Sequence, residues 1–327
     1  MRCFINHEND VFYNFAVEEY FVENYNEPVF ILWKNNPNVM VGRNQNTYAE
    51  INEEFCKKNN IDVVRRLSGG GAVYSSPENF QYTLILDKNE HDQVSFKSLA
   101  KPLIAFLETL GIKAEFTGRN DILIEGKKVS GNAQYHNKNI LLHHGTILFD
   151  VDIDQLTKSL TPDLTKLTAK GIKSIKSRIT TIKERLPEDM SVDEFIENFM
   201  KFQLDSSKDN YTKALLVDEK EEVLKIKEKR WDQWAWNYGK NPKFSNTKKK
   251  KFDSGLVEIN YEVEKGVLSN IKIYGDFFSD LPIETLEEKI IGVDFDKESI
   301  QNKLKSVMIN DYINGVTSKD FIQLLVN

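Results

Sequence analysis

The chain has 327 residues, of which 40% are hydrophobic and 29% charged, a composition typical of folded proteins. At ~150 residues per domain, this length predicts two units, or one large α/β unit with a small appendage. A net charge of −6 argues against a general nucleic-acid-binding surface, and an acidic protein partner would require a local basic patch. The two cysteines, Cys3 and Cys56, form no CxxC pair, and neither a signal peptide nor a membrane-spanning apolar run is recognisable, so we expect a cytoplasmic protein without a zinc site or disulfide framework.

The first 240 residues alternate between helical and strand patterns. Apolar residues spaced three or four apart predict helices at residues 10–25, 48–59, 95–110, 191–204 and 218–236. Short β-branched and aromatic runs predict strands at residues 29–33, 39–41, 62–66, 80–86, 122–124, 128–135 and 140–149. We expect the last three of these strands to lie in one sheet.

Two later segments break these patterns. Residues 169–181, AKGIKSIKSRITT, have neither a helical nor a strand period, and a loop of that length inside a domain is usually functional or disordered. Residues 241–251, NPKFSNTKKKK, are polar and basic and read as a linker, and we interpret their lysine run as a solvated surface.

A small C-terminal unit follows the predicted linker. Residues 252–264 and 267–274 predict a hairpin across Lys265 and Gly266, and residues 283–290, 297–303 and 318–325 predict helices. The expected organisation is a catalytic domain at 1–243, a linker at 244–251 and an accessory domain at 252–327.

The strongest local signal is the sequence RRLSGGGAVY, which begins at Arg65. Three consecutive glycines are entropically costly in a mere turn, but they allow a ligand to approach main-chain N–H groups. Such groups beside Arg66 suit a phosphate or a carboxylate. The alternative is a glycine-rich hairpin with incidental arginines. No GKS or GKT follows, and the glycines lead into a strand, so the segment is neither a Walker loop nor a Rossmann fingerprint.

Two further signals surround a predicted strand. Asp121 lies in TGRNDI, where its carboxylate could meet Mg²⁺ held by phosphates, or could simply form an Asx-type turn. In GKKVSGNAQ, a regular strand would place Lys128, Ser130 and Asn132 on one face. A polar face on a buried sheet is costly unless it meets ligand or water, so we assign Lys128 to a binding site and Lys127 to the surface.

The fourth signal is the pair His143 and His144 in LHHGTI. Adjacent residues of a strand point to opposite faces, so the two imidazoles make a poor metal site. We expect one to serve in packing and the other in a pocket.

These four motifs, in this order, resemble the lipoate–protein ligase A family. The segment LTAKGIKSIKSRITT resembles the family's adenylate-binding loop, and WNYGKNPKF resembles the end of its catalytic domain, so the resemblance covers nearly the whole chain. It implies an α+β fold related to biotin ligases, with a mixed-sheet catalytic domain and a small α+β accessory domain. One departure is that Ser75-Ser76-Pro77-Glu78 stand where some relatives carry a His-Asp pair.

The resemblance also implies roles for individual residues. Lys128 matches the essential lysine, and Asp121 matches the Mg²⁺ region. The residues that match lipoate- or lipoyl-AMP-binding positions are Arg66, Ser68, Gly69, Gly70, Gly71, Ala72, Val73, Tyr74, Asn79, Asn120, Ser130, Gly131, Ala133, His144, Gly145, Thr146, Lys170, Gly171 and Arg178.

The implied activity is the ATP-dependent formation of lipoyl-AMP, followed by transfer of the lipoyl group to a lysine of an acceptor protein. The implied acceptors are E2 subunits of 2-oxoacid dehydrogenases or the glycine-cleavage H protein, with no nucleic-acid or membrane partner. One alternative is a lipoyl or octanoyl transferase, which uses a cysteine thioester. Cys3 and Cys56 lie outside the motifs, which disfavours it, whereas a transferase from a lipoylated carrier that uses no cysteine nucleophile stays open. A non-catalytic lipoate-binding module is the alternative from another class, and a biotin ligase is disfavoured because no GRGRxGR-like loop is present.

Overall fold

The chain forms two compact units that interleave along the sequence. The computed structural model describes residues 1–89, 95–118, 120–160, 177–238, 246–264 and 266–326. The first unit comprises Met1–Met40, Glu50–Arg65 and Val73–Asn237, and the second comprises Val41–Ala49, Arg66–Ala72 and Tyr238–Asn327. The three consecutive glycines therefore belong to the same unit as the C-terminal residues. No helix within the described ranges has the length and apolarity to cross a membrane.

A large mixed sheet dominates the first unit. Within the described residues it has eight strands: β1 (Arg2–Asn6), β2 (Val29–Trp33), β6 (Phe80–Asp87), β7 (Ala114–Thr117), β8 (Asp121–Ile124), β9 (Lys127–Asn137), β10 (Ile140–Ile147) and β11 (Tyr211–Thr212). Their order is β11-β1-β2-β6-β10-β9-β8-β7. The β1 strand pairs in parallel with both neighbours, whereas all other pairs are antiparallel. The predicted strands at 122–124, 128–135 and 140–149 are adjacent in this sheet, as expected.

A smaller sheet has the order β4-β3-β5. Its strands are β3 (Asn38–Val41), β4 (Asp62–Arg65) and β5 (Val73–Ser75). The β4 strand leads into the glycine run and β5 leaves it, so the predicted strand–glycine–strand order is confirmed.

Several helices accompany the strands of residues 1–237. They are α1 (Val11–Glu23), α2 (Thr47–Glu50), α3 (Glu53–Lys58), α4 (Phe96–Thr109), α5 (Ile153–Ser159), α6 (Val192–Asp205), α7 (Val217–Ile226) and α8 (Trp234–Asn237), with α2 in the second unit except for Glu50. Helices α1, α4 and α6 pack against the large sheet. Side-chain caps fix several starts: the Asp10 carboxylate accepts from the N–H groups of Phe12 and Tyr13, and Ser191 accepts from Glu194.

One face of the sheet packs against α4 and α6, and we call it the apolar face. Phe80, Ile122 and Val129 of the strands are buried there with Phe106 of α4 and Phe199 of α6. The rings of Phe106 and Phe199 stack with centroids 5.0 Å apart. The opposite face packs against α1, where Phe15 contacts Trp33, His144 and Trp231.

The C-terminal part of the second unit has its own sheet and core. Three antiparallel strands lie in the order β12 (Asn246–Phe252), β13 (Gly255–Glu264) and β14 (Val267–Gly275). The helices are α9 (Ile283–Ile290), α10 (Lys297–Lys303), α11 (Ile309–Tyr312) and α12 (Ser318–Val326). Alternate strand residues such as Val257, Ile259 and Ile273 pack with Leu286 and Phe321 of the helices.

Most predicted elements are confirmed, but three predictions are wrong in detail. The expected helix at 48–59 is two helices, because the Asn52 side chain accepts from Phe55 N–H and starts α3 anew. The expected helix at 218–236 contains a π turn at Lys227–Trp231, where the buried Trp231 indole donates to Glu19. The linker predicted at 244–251 is wrong from residue 246 onward, because Asn246–Phe252 pairs with β13. Its lysines suit an exposed edge strand, where charge discourages further pairing.

Candidate functional site

Lys128 lies on β9 beside the carboxylate of Asp121 on β8. Lys128 Nζ is 2.8 Å from Asp121 Oδ1, and both side chains are more than a third exposed. The register between β8 and β9 shifts after Ile122, because Ile122 pairs with Ser130 but Leu123 pairs with Lys128. Val129 is therefore an extra residue, a β-bulge, and bulges often redirect a side chain near a functional site.

Because of this bulge, the predicted shared face holds for Ser130 and Asn132 but is wrong for Lys128. A Cβ built on Gly131 would lie 2.7 Å from Lys128 Nζ, so the ammonium lies directly above Gly131. Ser130 lies opposite Ile122 and Ile147 of the apolar core, and its buried hydroxyl has no hydrogen-bond partner among the described residues.

The face that carries Lys128 also carries several predicted pocket residues, and we call it the polar face. Asp121 pairs with Gly131, Gly131 with Thr146, and Ala133 with His144, so these side chains share one side of the sheet. Gly145 points the other way, where an added Cβ would lie 2.4 Å from Asn132 Oδ1. The structure thus brings Lys128, Asp121, Gly131, Ala133, His144 and Thr146 together, but not Ser130 or Gly145.

A buried hydrogen-bond network that the sequence analysis missed extends the polar face. His144 Nδ1 is 3.0 Å from both carboxylate oxygens of Glu18, which lies on α1. The Thr83 hydroxyl donates to Glu18 Oε1, and the Trp33 indole N–H donates to Thr83. Alternation of Gln81 and Thr83 with apolar residues in FQYTLILD was the available signal for a polar side of β6.

Next to His144, His143 lies on the apolar face and has a packing role. Burial, and then the neighbouring His144, lowers the pKa of His143 from 6.5 to about 3, so its imidazole is neutral at physiological pH. Its Nε2 lies 3.1 Å from the Tyr82 hydroxyl, and its ring packs edge-on against Phe96. The expected packing role of one histidine agrees with this geometry, and a pocket role for His144 stays a prediction.

Other predicted residues support the strands. The Asn120 side chain donates to Asn132 O, and the Asn132 side chain donates to Asn120 O, so the two clamp the start of β8. Asn79 is buried and accepts from Phe149 N–H. Val73 pairs with Met40, and the Tyr74 hydroxyl donates to Gln155. Within the first unit, these contacts hold the strands and their neighbouring segments in place.

The end of the predicted adenylate-binding loop is anchored to Lys128. Lys128 N–H donates to Arg178 O at 2.8 Å, and Thr180 N–H donates to Lys128 O at 3.0 Å. The Arg178 side chain is exposed. Lys170 and Gly171 lie outside the described residues.

The glycine loop, residues 66–72, lies in the second unit. Arg66 is buried, and its Nη2 donates to Gly69 O at 2.8 Å and Gly71 O at 2.7 Å, while its Nε donates to Ser68 Oγ. Gly70 has φ of +93°, a conformation that favours glycine. A Cβ on Gly71 would meet no atom within 4 Å, so that side of the loop is open to a ligand. Ala72 completes the loop before β5.

The described residues contain neither a cysteine poised as a nucleophile nor a cluster of three metal-ligating side chains. Burial raises the pKa of Cys3 and of Cys56 to about 11, so neither is a thiolate at neutral pH. Asp121 offers a single carboxylate, the type of oxygen ligand that Mg²⁺ prefers.

Two family models together match most of the chain. Residues 10–202 match the lipoyl protein ligase A/B catalytic domain, and residues 241–325 match the bacterial lipoate protein ligase C-terminus. Residues 10–202, which include the β9 strand with Lys128, thus belong to the class of lipoyl protein ligase A/B catalytic domains.

Full-length relatives narrow this class to one family. The chain is 36% identical to lipoate-protein ligase LplJ of Bacillus subtilis, covering 97% of each chain. It is also 36% identical to lipoate–protein ligase 1 of Staphylococcus aureus, covering 98% of this chain and 99% of the relative. This protein belongs to the lipoate–protein ligase family.

Solved structures agree with this assignment. P. falciparum LipL1, solved in complex with lipoate, is 25% identical, with a TM-score of 0.79 over 99% of this chain and 98% of that chain. A lipoate-protein ligase A bound with ATP shares the fold at 21% identity, with a TM-score of 0.62 over 73% of this chain and 98% of that one. The predicted α+β fold of the biotin/lipoate ligase type is confirmed.

Proposed function

We propose that this protein is an ATP-dependent lipoate–protein ligase, which converts lipoate to lipoyl-AMP and transfers the lipoyl group to an acceptor lysine. The observation that carries the proposal is the ammonium of Lys128, which lies above Gly131 on the polar face, in a chain that belongs to this family.

The first step joins two anions, so it needs positive charge. A lipoate carboxylate oxygen attacks the α-phosphorus of ATP, and the bond to pyrophosphate breaks. Lys128 then donates hydrogen bonds to the carbonyl and phosphate oxygens, where negative charge develops. The ion pair with Asp121 holds this flexible side chain in place before the ligand arrives.

The glycine loop supplies the second set of donors. In the proposal, main-chain N–H groups of Gly69, Gly70 and Gly71 receive the carboxylate and phosphate oxygens, with Arg66 and Ser68 fixing the loop's shape. Asp121 is the residue that would hold Mg²⁺, whose role when bound is to neutralise phosphate charge. Lys170, Gly171 and Arg178 are proposed to cover the adenylate.

The second step transfers the acyl group to protein. The acceptor's lysine amine attacks the carbonyl carbon of lipoyl-AMP, an amide bond forms, and AMP leaves. A structural neighbour from Thermoplasma acidophilum is described as a bi-partite lipoate protein ligase with an E2 lipoyl domain. We accordingly propose lipoyl-domain acceptors for this chain, either dehydrogenase E2 subunits or the glycine-cleavage H protein, in the cytoplasm.

A transferase that passes lipoyl through a cysteine thioester is the competing enzyme. Both thiols are buried with a pKa of about 11, which opposes their use as nucleophiles. Incubation with free lipoate, ATP and an apo-lipoyl domain should give a lipoylated acceptor and one AMP per lipoyl group. Acyl exchange from a lipoylated carrier without ATP would establish the transferase, and binding of lipoate without either product would establish the non-catalytic module.

A further inference from the structure

The glycine loop packs against a C-terminal segment of the second unit, residues 275–279. A Cβ built on Gly69 would lie 2.4 Å from Phe277 O and 3.0 Å from Phe278 Cα. Backbone atoms cannot yield as a flexible side chain would. Gly69 is therefore required by this contact as well as by any ligand, and the loop and the 275–279 segment fit each other at main-chain distance.

The two phenylalanines of this segment face different surroundings. Phe277 is fully buried in the C-terminal core. The ring of Phe278 lies against Gly70, where an added Cβ would meet Phe278 Cε1 at 3.4 Å and Arg66 Nη2 at 3.0 Å. The Phe278 carbonyl accepts from Asn314 N–H, which fixes the backbone that carries the ring. Phe277 thus anchors the segment, and Phe278 shapes the loop.

Residues 41–49 tie the loop and the segment together. Arg43 N–H donates to Ser68 O, while Asn44 O accepts from Gly275 N–H and its side-chain amide donates to Ser279 Oγ. An added Cβ on Gly42 would lie 2.0 Å from Gly70 O. The loop is therefore held on two sides, by Gly42 and by Phe278.

We infer that Phe278 is a positioning residue for the glycine loop, so that the C-terminal part of the chain sets the geometry of the loop's N–H donors. The inference rests on the proposed function of the loop. Arg66 joins the carbonyls of Gly69 and Gly71, which orients those peptides, and Phe278 packs on the glycine between them. Without the ring, Gly70 is free to adopt other backbone conformations, because glycine has the least intrinsic restriction.

The test is the kinetics of lipoate-dependent ATP–pyrophosphate exchange by the full chain. We expect Phe278→Ala to raise KM for lipoate about tenfold or more. Phe278→Leu keeps an apolar side chain, so its increase in log KM should be at most half that of Phe278→Ala. Phe252→Ala is the matched control, because Phe252 packs on the same C-terminal core and lies outside the loop contact. It should leave KM near the wild-type value.

A double-mutant cycle separates positioning from general destabilisation. If Phe278 acts through the loop that Arg66 holds, the effects of Phe278→Ala and Arg66→Lys on KM will be clearly less than multiplicative. Multiplicative effects, or a KM in Phe278→Ala within twofold of the Phe252→Ala control, would overturn the inference. If Phe278→Ala does not fold, the same comparison is made with Phe278→Leu.

Wild-type protein in the same assay distinguishes this inference from the proposed function. Absence of lipoate-dependent exchange in the wild type contradicts the ligase assignment itself. Wild-type exchange with an unaltered Phe278→Ala variant leaves the ligase intact and removes Phe278 from loop positioning.

Discussion

The two faces of the large sheet are made from the same strands but hold different chemistry. On the apolar face, Phe80, Ile122 and Val129 pack with the aromatic rings of α4 and α6. On the polar face, Thr83 and His144 form buried hydrogen bonds to Glu18, and Lys128 keeps its ammonium partly exposed. Buried hydrogen bonds occur on both faces, since His143 contacts the Tyr82 hydroxyl on the apolar face, so the partly exposed Lys128 ammonium is what distinguishes the polar face as the side that can meet a ligand.

The largest effect on catalysis is expected at the lysine of the polar face. Lys128→Ala should lower kcat/KM for lipoyl-AMP formation about 10²–10³-fold, because charge at the reacting oxygens is lost. The melting temperature should change little, because the side chain is 38% exposed. Lys127→Ala is the matched control on the neighbouring residue and should retain near-wild-type exchange. Equal losses in both variants would contradict the assignment.

The largest effect on stability is expected on the apolar face. Phe199→Ala should destabilise the fold by about 3–5 kcal/mol, because it leaves a cavity beside Phe106 and Phe30. Urea unfolding measures the loss, and the activity per folded molecule should be preserved. Phe202→Ala on the same helix is only partly buried against the core and should cost less. If Phe199→Ala instead lowered the activity per folded molecule more than it lowered stability, the assignment of the apolar face to stability would be contradicted.

Two glycines on adjacent strands sharpen the comparison. Gly131→Ala places a methyl group where Lys128 Nζ lies, so activity should fall about tenfold while unfolding is little affected. Gly145→Ala directs its methyl group at Asn132 and Tyr82 on the opposite side, so it should chiefly lower stability. Exchange assays and thermal melts on both variants measure the two effects. Reversed phenotypes would assign the ligand to the other face.

The smallest expected effect is the pH dependence of stability from His143. Unfolded, this imidazole binds a proton below pH 6.5, whereas the folded imidazole does so only near a pKa of about 3. The unfolded state therefore binds more protons in that window, and stability should fall as pH drops, by at most about 1.4 kcal/mol per pH unit. Urea unfolding at pH 7.5, 6 and 5 measures the slope. His143→Gln should flatten it, and an unchanged slope in that variant would contradict this assignment.

Local patterns in the sequence predicted much of the fold. Helix α1 begins after its Asp10 cap, and Val29–Trp33 is a strand with the predicted bounds. The bulge at Val129 could not be predicted, because it depends on the register of β8 against β9. Strict alternation predicts Ser130 beside Lys128, but the extra residue turns them to opposite faces.

Long-range contacts account for what was missed at the candidate site. Glu18 is one of several acidic residues in α1, and only tertiary structure places it against His144, more than a hundred residues away. The contact of Gly69 with Phe277 and Phe278 joins still more distant parts of the chain. The lysines of residues 248–251 resembled a linker because an edge strand and a solvated linker share the same exposed, charged composition.

The most direct test of the central claim is a crystal structure with a non-hydrolysable lipoyl-AMP analogue. The account predicts Lys128 Nζ within about 3 Å of the ligand's carbonyl or phosphate oxygen, with the acyl chain on the polar face. A ligand bound elsewhere, or one that leaves Lys128 paired with Asp121 alone, would contradict it.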